Sequence, residues 1–307
     1  MATRYVQSFE SGGAVGSPVT TINPSGDKPF SANPQGTVVV DNTHVAHGSK
    51  SGKFSPTAGA TCSARWTGLN VPVGSTFGVS GYGWYDAISA SETYIWRLND
   101  TAGALMCMIE MSNTGKFRLI DKNGTTTPLF NSGLNLPTGQ EIRYEVFGTI
   151  GASAPLKCAL FAGDSLTPLA GYSTSVSNAN LGTTAGDVSL FGKGDTGSYA
   201  TPFWQDSLQF EVGGADFIGP WVSQLATPAL SLENSINPTT AGGSDGQATV
   251  SWAAVPGAGS YNAYKSTLAS PTDAQLAAGL VQAGVTSPFT FTGLKAGGTT
   301  VAIQAEP

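Results

Sequence analysis

The stretch CMIEMSNTGKFRLIDKNG, residues Cys107 to Gly124, decides the fold class of this chain. Its two apolar runs are separated by Asn113-Thr114-Gly115, and a second turn signal, Asp121-Lys122-Asn123-Gly124, follows the second run. Asn and Gly mark such turns because they tolerate the left-handed backbone that tight hairpins require. The stretch therefore predicts consecutive antiparallel strands.

The same alternation of short apolar runs and turn residues continues in both directions. The 307 residues include 40 Gly and 18 Pro, scattered along the chain, which is typical of many short strands joined by turns. Helical periodicity is absent before residue 220, so we predict an all-β fold. The predicted strands of this part are Arg4–Glu10, Thr37–Asp41, Gly52–Ser55, Cys62–Trp66, Phe77–Trp84, Thr93–Leu98, Leu105–Met111, Lys116–Ile120, Glu141–Gly148, Lys157–Ala162, Val188–Gly192, Phe203–Val212 and Asp216–Ile218.

A domain boundary is predicted near Gly219-Pro220. The prediction is a first domain over residues 1–220, a linker over 221–228 and a second domain over 229–307. Pro- and Gly-bearing turns separate five short strand candidates in the second domain, which is typical of a small sandwich. These candidates are Ala229–Leu232, Ala248–Ala253, Tyr261–Lys265, Phe289–Thr292 and Thr299–Ala305.

Charge and cysteine content exclude several classes of partner. The net charge is −6 and no basic run occurs, which argues against nucleic acid binding. No apolar stretch approaches the length of a membrane span, and the first residues, MATRYVQSF, lack the apolar core of a secretion signal. The three cysteines, Cys62, Cys107 and Cys158, are too few and too far apart for a disulfide framework. We expect a protein made in a reducing cytoplasm.

Catalytic carboxylates are not predicted. Sandwich glycosidases place two or three carboxylates on one strand face, a few ångströms apart. Asp206 and Glu211, five residues apart, would lie on opposite faces of an unbroken strand. Glu141 and Glu145 share a face, but Arg143 between them indicates an ordinary surface strand. We therefore predict that the chain is not an enzyme.

Metal sites are weakly indicated. His44 and His47 form an H-x-x-H pair with Asp41 as the single additional candidate ligand for zinc, so loop roles are favoured. A calcium loop at Asp121-Lys122-Asn123-Gly124 is disfavoured, because Lys122 would repel the ion and no bidentate Glu follows. We predict no cofactor, with calcium as the alternative.

One aromatic passage is a candidate sugar-binding surface. In Gly81-Tyr82-Gly83-Trp84-Tyr85, strict alternation puts Tyr82 and Trp84 on one face of a strand and Tyr85 on the other. The alternative to a sugar platform is packing of these rings between two sheets, and sequence favours that alternative.

Three passages give residues 1–220 a resemblance to a known family. They are His47-Gly48-Ser49 with Gly52-Lys53-Phe54, the run Leu134–Val146 with Ile142 where Trp is usual, and Phe203–Phe210 ending at Phe217-Ile218-Gly219-Pro220. This part resembles the concanavalin A-like jelly roll in its laminin-G-like form. The closing phrase is similar to those of minor tail proteins of phages that infect actinobacteria.

The second domain resembles fibronectin type III domains. The phrases carrying the likeness are Val250-Ser251-Trp252, Ser260-Tyr261-Asn262-Ala263-Tyr264 and Phe289–Gly297. The resemblance implies that Trp252, Tyr261 and Leu294 anchor the core of a small sandwich, with Thr300 where the family usually has Tyr. In such a sandwich a seventh strand would pair with the last predicted strand, Thr299–Ala305, and no candidate for it is found. Val301 and Ile303 are therefore predicted to mark a strand edge that another subunit covers.

These resemblances imply a structural virion protein of a bacteriophage. We expect a minor tail protein, at the tail tip or in an appendage, present in several copies and touching other virion subunits. Host cell-wall glycan is an expected partner if the protein is an adhesin. The alternatives are a carbohydrate-binding module or lectin on a cell surface, and a head decoration or fibre protein.

Overall fold

The computed structural model describes residues 3–10, 13–21, 28–88, 91–124, 128–193, 199–221, 231–236, 246–252, 260–266, 280–294 and 300–306. The chain divides into two compact units, Met1–Trp221 and Val222–Pro307. Every strand pairing is antiparallel and no helix occurs within the described ranges, so the predicted all-β sandwich class is confirmed. The predicted linker lies outside the described residues apart from Trp221.

The first unit consists of two sheets. The larger sheet has the strand order β12-β11-β10-β5-β14-β3-β2, with β1 paired to one end of β14. Its strands are β1 (Thr3–Gln7), β2 (Thr37–Asp41), β3 (Ser51–Ser55), β5 (Thr76–Tyr85), β10 (Glu141–Thr149), β11 (Ala154–Ala162), β12 (Pro168–Ala179) and β14 (Phe203–Val212).

The smaller sheet has the order β4-β13-β6-β7-β8-β9. Its strands are β4 (Cys62–Trp66), β6 (Thr93–Asp100), β7 (Leu105–Met111), β8 (Lys116–Asp121), β9 (Phe130–Asn135) and β13 (Gly186–Lys193). One apolar core fills the space between the sheets, and the ring of Phe77 lies 6.1 Å from that of Trp96 across it. All three cysteines are free and buried.

Strand β5 shows how the sequence distinguishes the two faces of the larger sheet. Gly81 and Gly83 of this strand face the core, where a Cβ atom on Gly81 would stand 2.4 Å from the hydroxyl oxygen of Tyr144. Tyr85 also points inward and is buried. Tyr82 and Trp84 point to the opposite, outer face. The interpretation that the sequence favoured, in which these two rings pack between the sheets, is therefore wrong.

Three differences from the predicted strands of the first unit concern β9, β12 and the residues Asp216–Ile218. Strands β9 and β12 were not predicted, because both are rich in Ser, Asn or Gly and largely exposed. The predicted strand Asp216–Ile218 is wrong, since these residues are irregular. Residues Asp216–Trp221, called the closing segment below, instead cross the outer face of the larger sheet.

A bulge in β14 overturns one expectation about carboxylates. Ser207 has φ 49°, and the pairing of β14 with β5 shifts register between Asp206 and Gln209. Asp206 pairs with Tyr82 and Glu211 pairs with Gly78, two positions of β5 that share a face. Asp206 and Glu211 therefore lie on the same face, because the extra residue restores the parity that five residues would otherwise break.

The described residues of the second unit form two three-stranded sheets, ordered β15-β16-β19 and β18-β17-β20. The strands are β15 (Ser231–Ile236), β16 (Gly246–Ser251), β17 (Ser260–Ser266), β18 (Leu280–Gln282), β19 (Phe289–Leu294) and β20 (Thr300–Glu306). Trp252 is buried in its core, its ring is 5.4 Å from that of Tyr261, and Leu294 packs against the same cluster. The fibronectin type III assignment itself stays a prediction.

The predicted assembly edge needs a correction. Ile303 is only 2% exposed and belongs to the core of the second unit, and Val301 packs against that core. Their side chains therefore face inward and are not the docking surface that was expected. Strand β20 pairs with β17 on one side, and pairing of its backbone with another chain stays a prediction.

A search of the described residues for helices long and apolar enough to span a membrane finds none.

Candidate functional site

The outer face of the larger sheet carries a cavity of about 210 Å³. Its floor is formed by the ends of β5, β10 and β14, and the loop that follows β2 forms one wall. The lining residues that matter below are His44, Tyr82, Trp84, Glu141, Trp204 and Asp206.

Aromatic rings form the centre of the cavity. Trp84 and Trp204 are paired across β5 and β14, so their side chains lie side by side. The imidazole of His44 stacks on the indole of Trp84 at 4.1 Å between centroids, and it meets Trp204 edge-on at 4.4 Å. Trp84 is half-buried and Trp204 is buried. The site thus presents a partly exposed indole next to a buried one.

Carboxylates hold the two indoles in place. The Nε1–H group of Trp84 donates to Asp86 at 2.7 Å, and that of Trp204 donates to Asp41 at 2.9 Å. The ammonium group of Lys53 lies 5.2 Å from the centre of the Trp204 ring, on the same sheet face. Because the polar atom of each indole is satisfied within the protein, the rings are pre-positioned for apolar contact.

The wall loop is fixed at two points by carboxylates. Asp206 accepts hydrogen bonds from the backbone N–H groups of Ala46 (2.9 Å) and His47 (3.0 Å). Glu10 accepts from the N–H groups of Ser49 (2.7 Å) and Lys50 (2.8 Å). Burial raises the pKa of Asp206 to about 8, although the hydrogen bonds from the N–H groups of Ala46, His47 and Ser207 act to lower it.

Glycine is required between these two anchors. Gly48 has φ +77°, and a Cβ atom there would stand 2.4 Å from the carboxylate of Glu10. The sequence His-Gly-Ser, quoted above for its resemblance to a family, therefore has a local reason in this chain. It lets the loop approach Glu10 and hold His44 over Trp84.

Glu141 is a charged residue of the cavity lining whose carboxylate is not bonded to any described residue. It begins β10 and pairs with Trp84 of β5. Burial and the nearby charge of Asp164 raise the pKa of its carboxyl group. Within the part of the chain that the structure describes, its carboxylate has no hydrogen-bond or ion-pair partner.

A second polar cluster adjoins the cavity at Tyr82. The Tyr82 hydroxyl donates to Asp164 and accepts the backbone N–H of Trp221 at 2.9 Å. His47 Nε2 is 3.2 Å from the same Asp164 oxygen. Burial lowers the pKa of His47, although Asp164 opposes the shift. Tyr82 is only 1% exposed, and burial and Asp164 raise its pKa well above the usual value.

Beneath this cluster lies a buried ion pair. The Arg143 Nε group donates to Glu145 at 2.8 Å, and its other nitrogens donate to the carbonyl oxygens of Gly163 (2.6 Å) and Ser165 (2.8 Å). Arg143 and Glu145 are each 1% exposed. The expectation of an ordinary surface strand around Glu141 and Glu145 is therefore wrong at Arg143 and Glu145, because loops and the closing segment cover them.

The closing segment seals this half of the sheet. The N–H group of Gly219 donates to Glu145 at 2.9 Å, and Phe217 packs edge-on against Phe161 at 6.1 Å. Ile218 lies over Gly78, where a Cβ atom would stand 3.2 Å from its side chain. The closing phrase that carried the likeness to phage tail proteins thus serves as a cover in this chain.

The residues considered for metals are held by other contacts. His44 stacks on Trp84, His47 faces Asp164, and Asp41 accepts from Trp204, so the three do not converge. In the Asp121 turn, both carboxylate oxygens accept N–H groups, those of Asn123 and Asn180. The described ranges contain no group of three or more His, Cys, Asp or Glu side chains suited to a metal ion.

Two of the four ring-bearing residues of the site were predicted from the sequence. Tyr82 and Trp84 were predicted to share a face, and they do, although Tyr82 is buried and offers no free ring surface. The contributions of His44, Glu141 and Trp204 were missed. The alternation of β14 contained a signal for Trp204, but the approach of the loop that carries His44 depends on contacts distant in sequence.

Comparisons with known proteins give similarity of fold alone. No family model and no curated protein matches the chain. Similar solved structures include "Cellulose induced protein, Cip1", with 16% identity, TM-score 0.45, and 70% of this chain and 99% of that chain covered. Alginate lyase Aly36B has 8% identity and TM-score 0.45, with 70% and 98% covered. Endo-beta-1,4-glucuronan lyase from the fungus Trichoderma reesei has 12% identity and TM-score 0.42, with 58% and 87% covered.

Proposed function

We propose that this chain is a non-enzymatic glycan-binding protein whose cavity on the outer sheet face receives a sugar. One observation carries the proposal, namely the partly exposed indole of Trp84, which has Trp204 at its side and the imidazole of His44 stacked on one face. Pyranose rings offer C–H groups on one face and hydroxyl groups around the edge, so they suit an aromatic surface with a polar rim. Glu141 supplies an acceptor at that rim.

The size of the cavity supports recognition of a short unit. Its volume of about 210 Å³ is below the roughly 300–1,000 Å³ of pockets that enclose drug-sized ligands. A single sugar residue of a longer chain fits such a shallow site, while the rest of the glycan stays in solvent. Surface binding of this kind needs a rigid support, and strands β5 and β14 provide it.

The absence of catalysis is part of the proposal. The pairing partners of Asp206 and Glu211 are four residues apart on β5, which corresponds to about 13 Å along a strand. Glycosidase carboxylates stand roughly 5–9.5 Å apart. Asp206 is held by backbone N–H groups, Glu145 by Arg143, and the Tyr82 hydroxyl by Asp164. These polar groups are thus engaged in structural bonds.

The proposed setting is a bacteriophage virion. The supporting observation is the closing phrase Phe217-Ile218-Gly219-Pro220, which resembles those of minor tail proteins. In that setting several copies would face the host and bind its wall glycan. Mass spectrometry and antibody labelling of purified particles test this directly, and absence of the chain from particles would overturn the virion role.

Glycan-array binding of the full chain tests the glycan-binding function. We expect saturable binding that Trp84→Ala weakens by about tenfold or more, through loss of ring contact. Leu134→Ala is the matched control, because Leu134 is an exposed apolar residue of the other sheet. Binding that is absent, or equal in wild type and Trp84→Ala, would overturn the proposed site.

A further inference from the structure

The electrostatic environment of the cavity is acidic. Carboxylates surround it, whereas the nearby cations are Lys53 and Arg143. Arg143 is buried and donates to Glu145 and two carbonyl oxygens, so it offers nothing to a ligand. Lys53 lies against the ring of Trp204. The surrounding carboxyl groups are Asp41, Asp86, Glu141, Asp164 and Asp206. Because the pKa of Asp206 is raised to about 8, its side chain adds little negative charge near pH 6.

Four of these carboxylates already accept a donor from the protein. Asp41 and Asp86 accept the two indole N–H groups, and Asp164 accepts the Tyr82 hydroxyl. Asp206 accepts the backbone N–H groups of the wall loop. Glu141 differs, because no described residue donates to it. A half-buried carboxylate without a donor is unfavourable, and a cationic ligand group would satisfy it.

The indoles favour the same kind of ligand group. A positive charge over the face of the Trp84 indole is attracted by the electron density of the ring. Glu141 and Trp84 are cross-strand partners and line the same cavity. An ammonium group placed there meets a carboxylate and an aromatic ring together, which is how proteins commonly select amines.

We infer that the sugar recognised by this cavity carries a free amine, as in glycans built of 2-amino-2-deoxyhexose residues. The inference deepens the proposed glycan-binding function and rests on it. Glycans of uronic acids are disfavoured, because their carboxylates would face Glu141 and Asp164, whereas the Lys53 ammonium group lies over the ring of Trp204 and acts on the carboxyl group of Asp41, whose pKa it helps to lower. N-acetylation of the amine removes the charge and with it the preference.

Calorimetric titration of the full chain with three oligosaccharides tests the inference. The ligands are a glucosamine tetramer, its N-acetylated counterpart and an oligoguluronate, each at a pH near 6 where primary amines are protonated. We expect the glucosamine tetramer to bind about tenfold more tightly than the N-acetylated one. Added salt should weaken the first interaction and leave the second nearly unchanged.

Two variants of equal charge assign the effect to Glu141. Glu141→Gln should remove the preference for the amine while keeping the binding of the N-acetylated tetramer. Asp187→Asn, on β13 of the other sheet, should keep the preference, and circular dichroism checks that both variants fold. Equal affinities for the two tetramers, or a preference for oligoguluronate, would overturn the inference and leave the glycan-binding function intact. Absence of binding to any glycan would overturn both.

Discussion

The outer face of the larger sheet has two halves, and glutamate side chains have different roles in them. In the sealed half, Arg143 and Glu145 are bonded to each other and covered by the closing segment. In the open half, Trp84 and Glu141 border a cavity, and Glu141 has no partner among the described residues. The comparison indicates that polar groups in the sealed half maintain the fold. Those in the open half are available to a ligand.

Breaking the buried ion pair should have the largest effect. Arg143→Met leaves the Glu145 carboxylate buried without its partner, so we expect a loss of about 3–5 kcal/mol in the free energy of unfolding of the first unit. Urea denaturation followed by tryptophan fluorescence measures it. The double variant Arg143→Met with Glu145→Leu should recover most of the loss, since neither charge remains. A single variant as stable as wild type would contradict the structural role of the sealed half.

Releasing the wall loop should have an intermediate effect. Asp206→Ala leaves the N–H groups of Ala46, His47 and Ser207 without their acceptor, so we expect a cost of about 1–3 kcal/mol and weaker glycan binding. The control Asp86→Ala alters an exposed acceptor and should cost no more than about 0.5 kcal/mol. Equal costs in the two variants would show that Asp206 does not hold the loop.

Asp206 also has a consequence for pH dependence. Its folded pKa of about 8 is above the model-compound value of 3.8, so the folded state binds the proton more tightly than the unfolded state. The stabilisation is complete below about pH 4 and is lost as the pH rises towards about 8. Asp206→Asn, which cannot ionise, should flatten the dependence of the unfolding midpoint on pH across this range. An unchanged slope would contradict the raised pKa.

The two faces of β5 and the bulge in β14 differ in how far they could be predicted from the sequence. Alternation correctly placed Tyr82 and Trp84 opposite Tyr85, because β5 is regular along this passage and the core faces one side. It failed at Asp206, where the bulge at Ser207 has no glycine to announce it. Strand β12 was missed because an exposed edge strand rich in Ser and Thr lacks apolar alternation.

The cavity itself was beyond sequence reasoning for a different reason. Its wall is held by hydrogen bonds between residues about 160 positions apart, from Ala46 and His47 to Asp206. The closing segment reaches Glu145 across 74 positions. No local pattern encodes such contacts. Composition and turn signals therefore predicted the all-β class, and the arrangement of His44, Trp84 and Glu141 required the structure.

The smallest effect should come from Glu141, and it provides the sharpest comparison. Glu141 and Glu145 lie on one face of β10, so Glu→Gln at each is a matched pair of substitutions. Glu145→Gln weakens a buried charge-assisted bond to Arg143 and should cost about 1–3 kcal/mol. Glu141→Gln removes no bond, and at neutral pH we expect a change of no more than about 0.5 kcal/mol.

The sign of the Glu141 effect follows from its raised pKa. Because the folded pKa lies above the unfolded value, the proton-linked stabilisation is present below the unfolded pKa and is lost as pH rises through the folded pKa. At pH 7 the charged carboxylate thus opposes folding slightly, and Glu141→Gln should leave stability equal or slightly higher. At a pH near 4 the two proteins should unfold alike. Paired thermal melts at both pH values measure this. A clear destabilisation by Glu141→Gln at pH 7 would mean that Glu141 serves the fold, and the distinction between the two halves would then fail at the residue on which amine recognition depends.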